Sequence, residues 1–280
     1  LQAFVDRYPA IQSIALSANV SYFVSPLADV CEEGGGITGL PITGRYSYSA
    51  SGGMWRSRSY MDHESLNYLR TEVAYDGAAH HYHMLDPDIL SITLGDDDRS
   101  MGLVLPNPLL NATQFLIPVS DDNAHHDPTL SDIKAVANAV DYSSVTWTLD
   151  PASQGALEYA DLPGDTHEGH AYIHRVYAPV GERDRPVRID RIATNGAVLT
   201  RTLLSEYVDF GDDLILPTRF DFTLYDSAGR APAAQIVFDI DECSINSAAT
   251  GALTATDFQI PWTEAERVWL NDLEVYAVGN

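Results

Sequence analysis

The chain has 280 residues, and 40 acidic side chains against 16 basic ones give it a formal net charge of −24. At 45% hydrophobic and 10% aromatic it carries enough apolar mass for a sizeable core, which excludes global disorder. Its cations, all arginine except Lys134, form no basic footprint, which excludes nucleic acid as a partner class.

Residues 3–14 read as a helix with an irregularity at Pro9. A β-rich run follows at 42–50, alternating around Tyr46 and Tyr48, and past Ser51-Gly52-Gly53 another at 54–61. The 69–75 run alternates Leu69, Thr71, Val73 and Tyr75, and Asp76-Gly77 behind it is a type I′ hairpin signal. Strands at 80–85 and 89–94 come next. Residues 108–116 read as a short helix. Leu130, Ile133, Val136, Ala137 and Val140 stand at helical spacing, with Ser131 or Asp132 as a cap. Strands at 172–180 and 187–194 lead to Asn195-Gly196, a second turn signal, and 197–207, 214–225 and 233–240 continue the meander. Runs at 258–261 and 273–278 close the chain, and Thr263 followed by Glu266 resembles a capping box opening a single turn.

About ten or eleven antiparallel strands at short spacing, with few helices, predict a mainly β fold: a sandwich, barrel or curled sheet. No repeat or linker marks a boundary, so residues 1–280 read as one domain, with 161–169 and 181–185 as exposed loops. No apolar run reaches the ~18–20 residues a membrane span requires, and no basic-then-apolar leader is visible. Cys31 and Cys243 are too few for a disulfide scaffold or a metal cluster. They form either one bridge in an oxidising compartment or two half-buried thiols.

Histidine placement raises the question of a metal. In His80-His81-Tyr82-His83 a strand puts His81 and His83 on one face and His80 on the other. His167, His170 and His174 add a second group, and His125-His126-Asp127 a polar loop. Zinc needs three or four converging ligands, and one strand face supplies two. The expectation is therefore no metal and no cofactor, with His81, His83, His167 and His170 as the residues a metal would use. Nucleophilic catalysis has no G-x-S-x-G elbow or phosphate loop, and Glu32-Glu33 disfavour a thiolate at Cys31. If the protein is an enzyme, His81 and His83 would move protons and Arg56 and Arg58 would neutralise a carboxylate, as in a secreted polysaccharide lyase or hydrolase. Tyr82 points away from that pair. The other candidate surface is aromatic: Tyr46, Tyr48, Trp55, Tyr60, Tyr75 and Tyr82 come from neighbouring strands and would line a concave apolar ligand site. Alternation puts Trp55 and Met61 on one side and Met54 and Tyr60 on the other.

Several segments carry a family resemblance. Gly44-Arg45-Tyr46, Arg56 and Arg58, Glu72 through Gly77, and Asn107-Pro108-Leu109-Leu110 with Phe115-Leu116 resemble the lipoprotein-carrier (LolA/LolB-like) superfamily, near secreted planctomycete-type relatives. Residues 258–274 are similar to the last strand pair of that group. The resemblance implies a curved antiparallel half-barrel with helices across its open side, and a loop insertion near 161–190. It also implies an exported protein of the periplasm, cell envelope or extracellular space that binds a hydrophobic small molecule or acyl chain without chemistry. The alternatives are the lyase or hydrolase above, and a structural or interaction module whose hollow is filled by its own side chains.

Overall fold

The structure, a computed structural model, describes residues 1–24, 42–62, 70–85, 88–94, 108–111, 130, 134, 137–138, 141–167, 170–226, 229, 231–270 and 275–278. The chain clusters into two compact units. Unit one is Leu1–Ala10, Ser21–Pro41 and Asn107–Asp239, and unit two is Ile11–Val20, Ile42–Pro106 and Ile240–Asn280.

Alternating burial makes most described residues strand. Unit two holds β2 (Ile42–Ser51), β3 (Met54–Met61), β4 (Thr71–Tyr75), β5 (Ala79–Leu85), β6 (Asp88–Leu94), β14 (Arg267–Leu270) and β15 (Val275–Val278). It also takes part of β1 (Ser13–Val24) and of β13 (Pro232–Ile245). Its ladder order is β15-β14-β6-β5-β4-β3-β2-β1-β13. Unit one orders β13-β12-β11-β10-β9-β8-β7, from β7 (Thr148–Leu149), β8 (Leu157–His167), β9 (His170–Pro179), β10 (Arg188–Ala193), β11 (Val198–Asp209) and β12 (Ile215–Tyr225). Among the described residues the ladder order of unit two ends at β15 and that of unit one at β7.

The described residues hold 15 strands, above the ten or eleven expected. The antiparallel expectation fails at the β14–β6 pair, where Arg267–Leu270 runs parallel to Ile89–Ile92. The helix expected at 3–14 stops at Val5 as α1 (Gln2–Val5), and a 3-10 turn at Tyr8–Ala10 follows. Pro9 lacks the N–H that a continuing helix needs. Beyond it Ile14, Leu16, Ala18 and Val20 are all buried, a period of two that makes β1. The loop expected at 161–169 is strand through His167. Pro163 and Gly164 disguise it, because they sit at a register shift in the β8–β9 ladder where a strand tolerates both.

The expected strand at 258–261 is also corrected. Phe258 ends a short helix, Ala255–Phe258, opened by a Thr254–Asp257 capping box. Thr263 and Glu266 make no such box; a 3-10 turn at Trp262–Glu264 stands there instead. Pro108–Asn111 is helical as expected. Leu130, Lys134, Ala137 and Asn138 are helical too, with Leu130 and Ala137 buried seven residues apart on one face. Residues 112–116, Ser131, Asp132, His125, His126 and Cys31 lie outside the described residues.

Two details explain local sequence. A Cβ on Gly44 would come within 2.3 Å of the Tyr60 carbonyl oxygen, so only glycine fits between β2 and β3 there. At the β4–β5 hairpin, the Asp76 N–H donates to the Ala79 carbonyl, so the tip is Gly77-Ala78 and not Asp76-Gly77. Gly77 alone has the positive φ, +93°.

Candidate functional site

Cross-strand partners share a sheet face, so the β2–β6 registers sort the candidate side chains into two sets. Ala50 faces Trp55, Trp55 faces Tyr75 and Tyr75 faces His80. That chain puts Tyr46, Tyr48, Trp55, Tyr75 and His80 on one face. Tyr46 and Tyr48 are buried there, and Tyr75 stacks on His80 at 4.5 Å between ring centres. Tyr60 stands on the opposite face, 45% exposed, with the Arg70 guanidinium 4.8 Å from its ring centre.

The opposite face holds the other set. Arg56 pairs with Ala74 and Ala74 with His81; Arg58 pairs with Glu72 and Glu72 with His83. The two histidines share a face, as the alternation predicted, with Tyr82 on the other, and the registers add Arg56 and Arg58 to the histidines' face. Beyond them come Leu90 and Ile92 of β6, which face Val268 and Leu270 of β14. Ala74, Ala79, Leu90, Ile92, Ile260, Ala265 and Val268 form one buried cluster, with Leu270 packed against it.

On this cluster lies a cavity of about 520 Å³. Its apolar walls are Ala79, Ile92, Leu94, Ile260, Pro261, Trp262 and Leu270, and its polar groups are Asp76, His81, Thr256 and Gln259. Leu94 and Trp262 are 64% and 50% exposed, so apolar surface meets water on the cavity's lining. Residues 255–262 make one wall, held to the sheet at three points. Phe258 is fully buried. The Arg56 Nη1 donates to the Asp257 and Gln259 carbonyls at 3.2 and 3.3 Å, and the Gln259 Nε2 donates to the Asp76 Oδ2 at 3.0 Å.

Asp76 and His81 make the polar side of the cavity. The Asp76 Oδ1 accepts the Ala78 and Ala79 N–H groups at 2.9 and 2.8 Å, and its Oδ2 lies 3.3 Å from the His81 Nε2. Burial pushes the Asp76 carboxyl pKa up, but these backbone and side-chain donors outweigh it and hold the group below the ordinary carboxylate value. Burial pushes the His81 imidazole down against the attraction of Asp76, with Arg56 adding to the fall. A carboxylate only accepts, so neutral His81 donates from Nε2 and keeps its lone pair on Nδ1. That Nδ1 is buried without a hydrogen-bond partner among the described residues.

His83 binds a different carboxylate, its Nε2 2.6 Å from the Asp88 Oδ1. The two histidines thus do not converge. Among the described residues no group of three or more His, Cys, Asp or Glu side chains is placed to hold a metal. His167 and His170 are register partners in the β8–β9 ladder, in unit one. Arg56 also donates through Nε to the buried Glu72 at 2.7 Å. Arg58 lines a second, polar groove of about 410 Å³ with Ser47, Ser49, Glu72, Glu242 and Cys243. Burial pushes the Cys243 thiol up to about 12, which leaves it unreactive at neutral pH.

None of Tyr46, Tyr48, Trp55, Tyr60 or Tyr75 lines the apolar cavity, while Tyr48 lines the polar groove. The residues that sequence reading missed are those of the wall. Their signal was present in Phe258, Ile260 and Trp262, apolar at every second position behind Thr254 and Asp257. Among the described residues no helix is long and apolar enough to cross a membrane.

No family model and no curated protein matches the chain. Among solved structures it is similar to a LolA superfamily protein from Nitrosomonas europaea, at 12% identity and a TM-score of 0.44, over 92% of this chain and 97% of that one. It is similar to a DUF1329 family protein from Desulfovibrio piger at 11% identity and TM-score 0.42, over 92% and 94%. A Vibrio parahaemolyticus protein named for an outer membrane lipoprotein-sorting domain is similar at 9% identity and TM-score 0.38, over 92% and 95%. These structures include the superfamily that the sequence motifs resemble.

Proposed function

We propose that unit two binds a hydrophobic small molecule or a single acyl chain in the cavity, and does no chemistry on it. The observation that carries this reading is a space of about 520 Å³ walled by Ile92, Leu94, Ile260, Trp262 and Leu270. Ligand sites are typically ~300–1,000 Å³, mostly apolar, with a few placed polar groups. Burying apolar surface there at ~25 cal/mol/Å² gives several kcal/mol for an alkyl chain before binding costs. The motif resemblance adds the rest of the reading: a curved half-barrel with helices across its open side, an envelope location, and a role in carrying lipid.

The lyase or hydrolase alternative has one favourable observation, the shared face of Arg56, Arg58, His81 and His83. Against it, Arg56 and His81 lie two strands apart, which at ~4.8 Å per strand is about 10 Å of backbone separation. Arg56 already serves Glu72 and two carbonyls, and each histidine serves its own carboxylate.

Titration with an uncharged fluorescent apolar probe tests the proposal. The protein should bind it saturably, and Ala79→Leu, which projects a larger side chain into the cavity, should weaken it by about tenfold or more. A folded protein that binds no apolar probe ends this reading and leaves the structural or interaction module in its place.

A further inference from the structure

The cavity's polar side carries a sign. Asp76 is the formal charge among the lining residues, since His81 is neutral near pH 7 and Thr256 and Gln259 are uncharged. The Arg56 guanidinium is matched by Glu72 at 2.7 Å and lines the polar groove, not the cavity. Asp76 cannot swing away, because both its oxygens are held: two backbone N–H groups on one, Gln259 and His81 on the other. These four donors fill the roughly four acceptor positions of a carboxylate. An entering head group thus meets a fixed negative charge that is only 7% exposed and weakly screened.

We propose that Asp76 is a specificity-determining residue, admitting amphiphiles with uncharged heads to the cavity and barring free carboxylates. The proposal rests on the cavity-binding reading above and names its ligand class. A carboxylate seated in the cavity would stand within a few ångströms of Asp76, where like charges repel strongly at the low effective dielectric of a protein interior. A hydroxyl or ester head carries no such penalty. The net charge of −24 acts in the same direction at long range, though salt screens it.

Three ten-carbon ligands separate the effects: decanol, decanoate and decylammonium, compared at ~0.15 M salt, where the screening length is ~8 Å. Both ions pay a desolvation cost on entry, so that cost alone does not separate them. Decanol should bind, and decanoate should bind at least about tenfold more weakly than decylammonium. Asp76→Asn should bring decanoate to within about threefold of decylammonium. Decanoate binding as tightly as the other two in the natural protein overturns this inference and leaves the cavity-binding reading intact. A gap that persists in folded Asp76→Asn overturns the assignment to Asp76. Should that variant fail to fold, the comparison of ions on the natural protein decides. If none of the three binds, the cavity-binding reading itself falls and the selectivity with it.

Discussion

Two regions of the molecule hold a buried aspartate in opposite settings. In unit one, Asp161, Arg175, Asp190 and Arg201 are successive cross-strand partners, a row of alternating charge. Asp190 is wholly buried, and takes the Arg188 Nη2 at 2.6 Å and the Arg201 Nε at 2.8 Å. The Arg188 guanidinium in turn lies over the Tyr177 ring at 3.8 Å, and that of Arg175 over Tyr159 at 4.3 Å. In unit two, Asp76 is held by neutral donors and stands beside an apolar cavity. The first aspartate is neutralised inside its own network; the second keeps its field. A buried charge therefore does not mark a site by itself. Its surroundings decide whether it serves the fold or faces a ligand.

The comparison can be broken at several points. The largest effect should come from Phe258→Ala, which removes the anchor of the cavity wall: a loss of about 3–5 kcal/mol in urea unfolding, with a parallel loss of probe binding. Asp190→Ala should cost about 3 kcal/mol, because two guanidiniums only a quarter exposed lose their acceptor together. A cost below about 1 kcal/mol would mean that the network contributes little. A smaller effect follows from His81. Its folded-state pKa lies below the ordinary 6.5, so the unfolded chain takes up the proton first. Stability should then be flat above about pH 6.5 and fall as pH drops below it, until the folded-state pKa is passed. Unfolding midpoints measured across that range should lose this slope in His81→Gln. Arg175→Ala should change least, by about 1 kcal/mol or less, since its partner Asp161 is 40% exposed and solvent screens the pair.

Much of unit two was legible in the sequence because its strands alternate cleanly. Residues 54–61 were read with the observed bounds, and 80–85 and 89–94 within one residue. The same alternation placed His81 with His83, and Trp55 opposite Tyr60. Periodicity fails where a strand is short or its outward residues imitate a turn. Arg267–Leu270 is only four residues and carries no turn signal, so β14 went unread. Its partner lies far away in sequence, and no local pattern encodes a parallel pairing. The cavity was hidden for a related reason. Three of its walls come from β5, β6 and β14, and the fourth from residues 255–262, which run from a short helix into a 3-10 turn while Ile260 and Trp262 alternate in sequence as strand residues do. Residue type alone does not distinguish a packed ring such as Tyr46 from a ring that lines a cavity.

The parallel pairing of β14 with β6 has a kinetic side. Ile89 meets Arg267 and Ile92 meets Leu270 across most of the length of the chain. Closing so long a loop carries an entropic cost that must be met before the contact returns any stability, and such contacts form late. On a ribosome, β5 and β6 would emerge and pair while Leu270, Ile260 and Trp262 were still unmade. For that interval the edge of β6 and the apolar side chains of Leu90 and Ile92 stand open to any neighbouring strand, a hazard for aggregation. The cavity comes into existence only once Ile260, Trp262 and Leu270 have been made and packed beside β5 and β6, so nothing can occupy it before then.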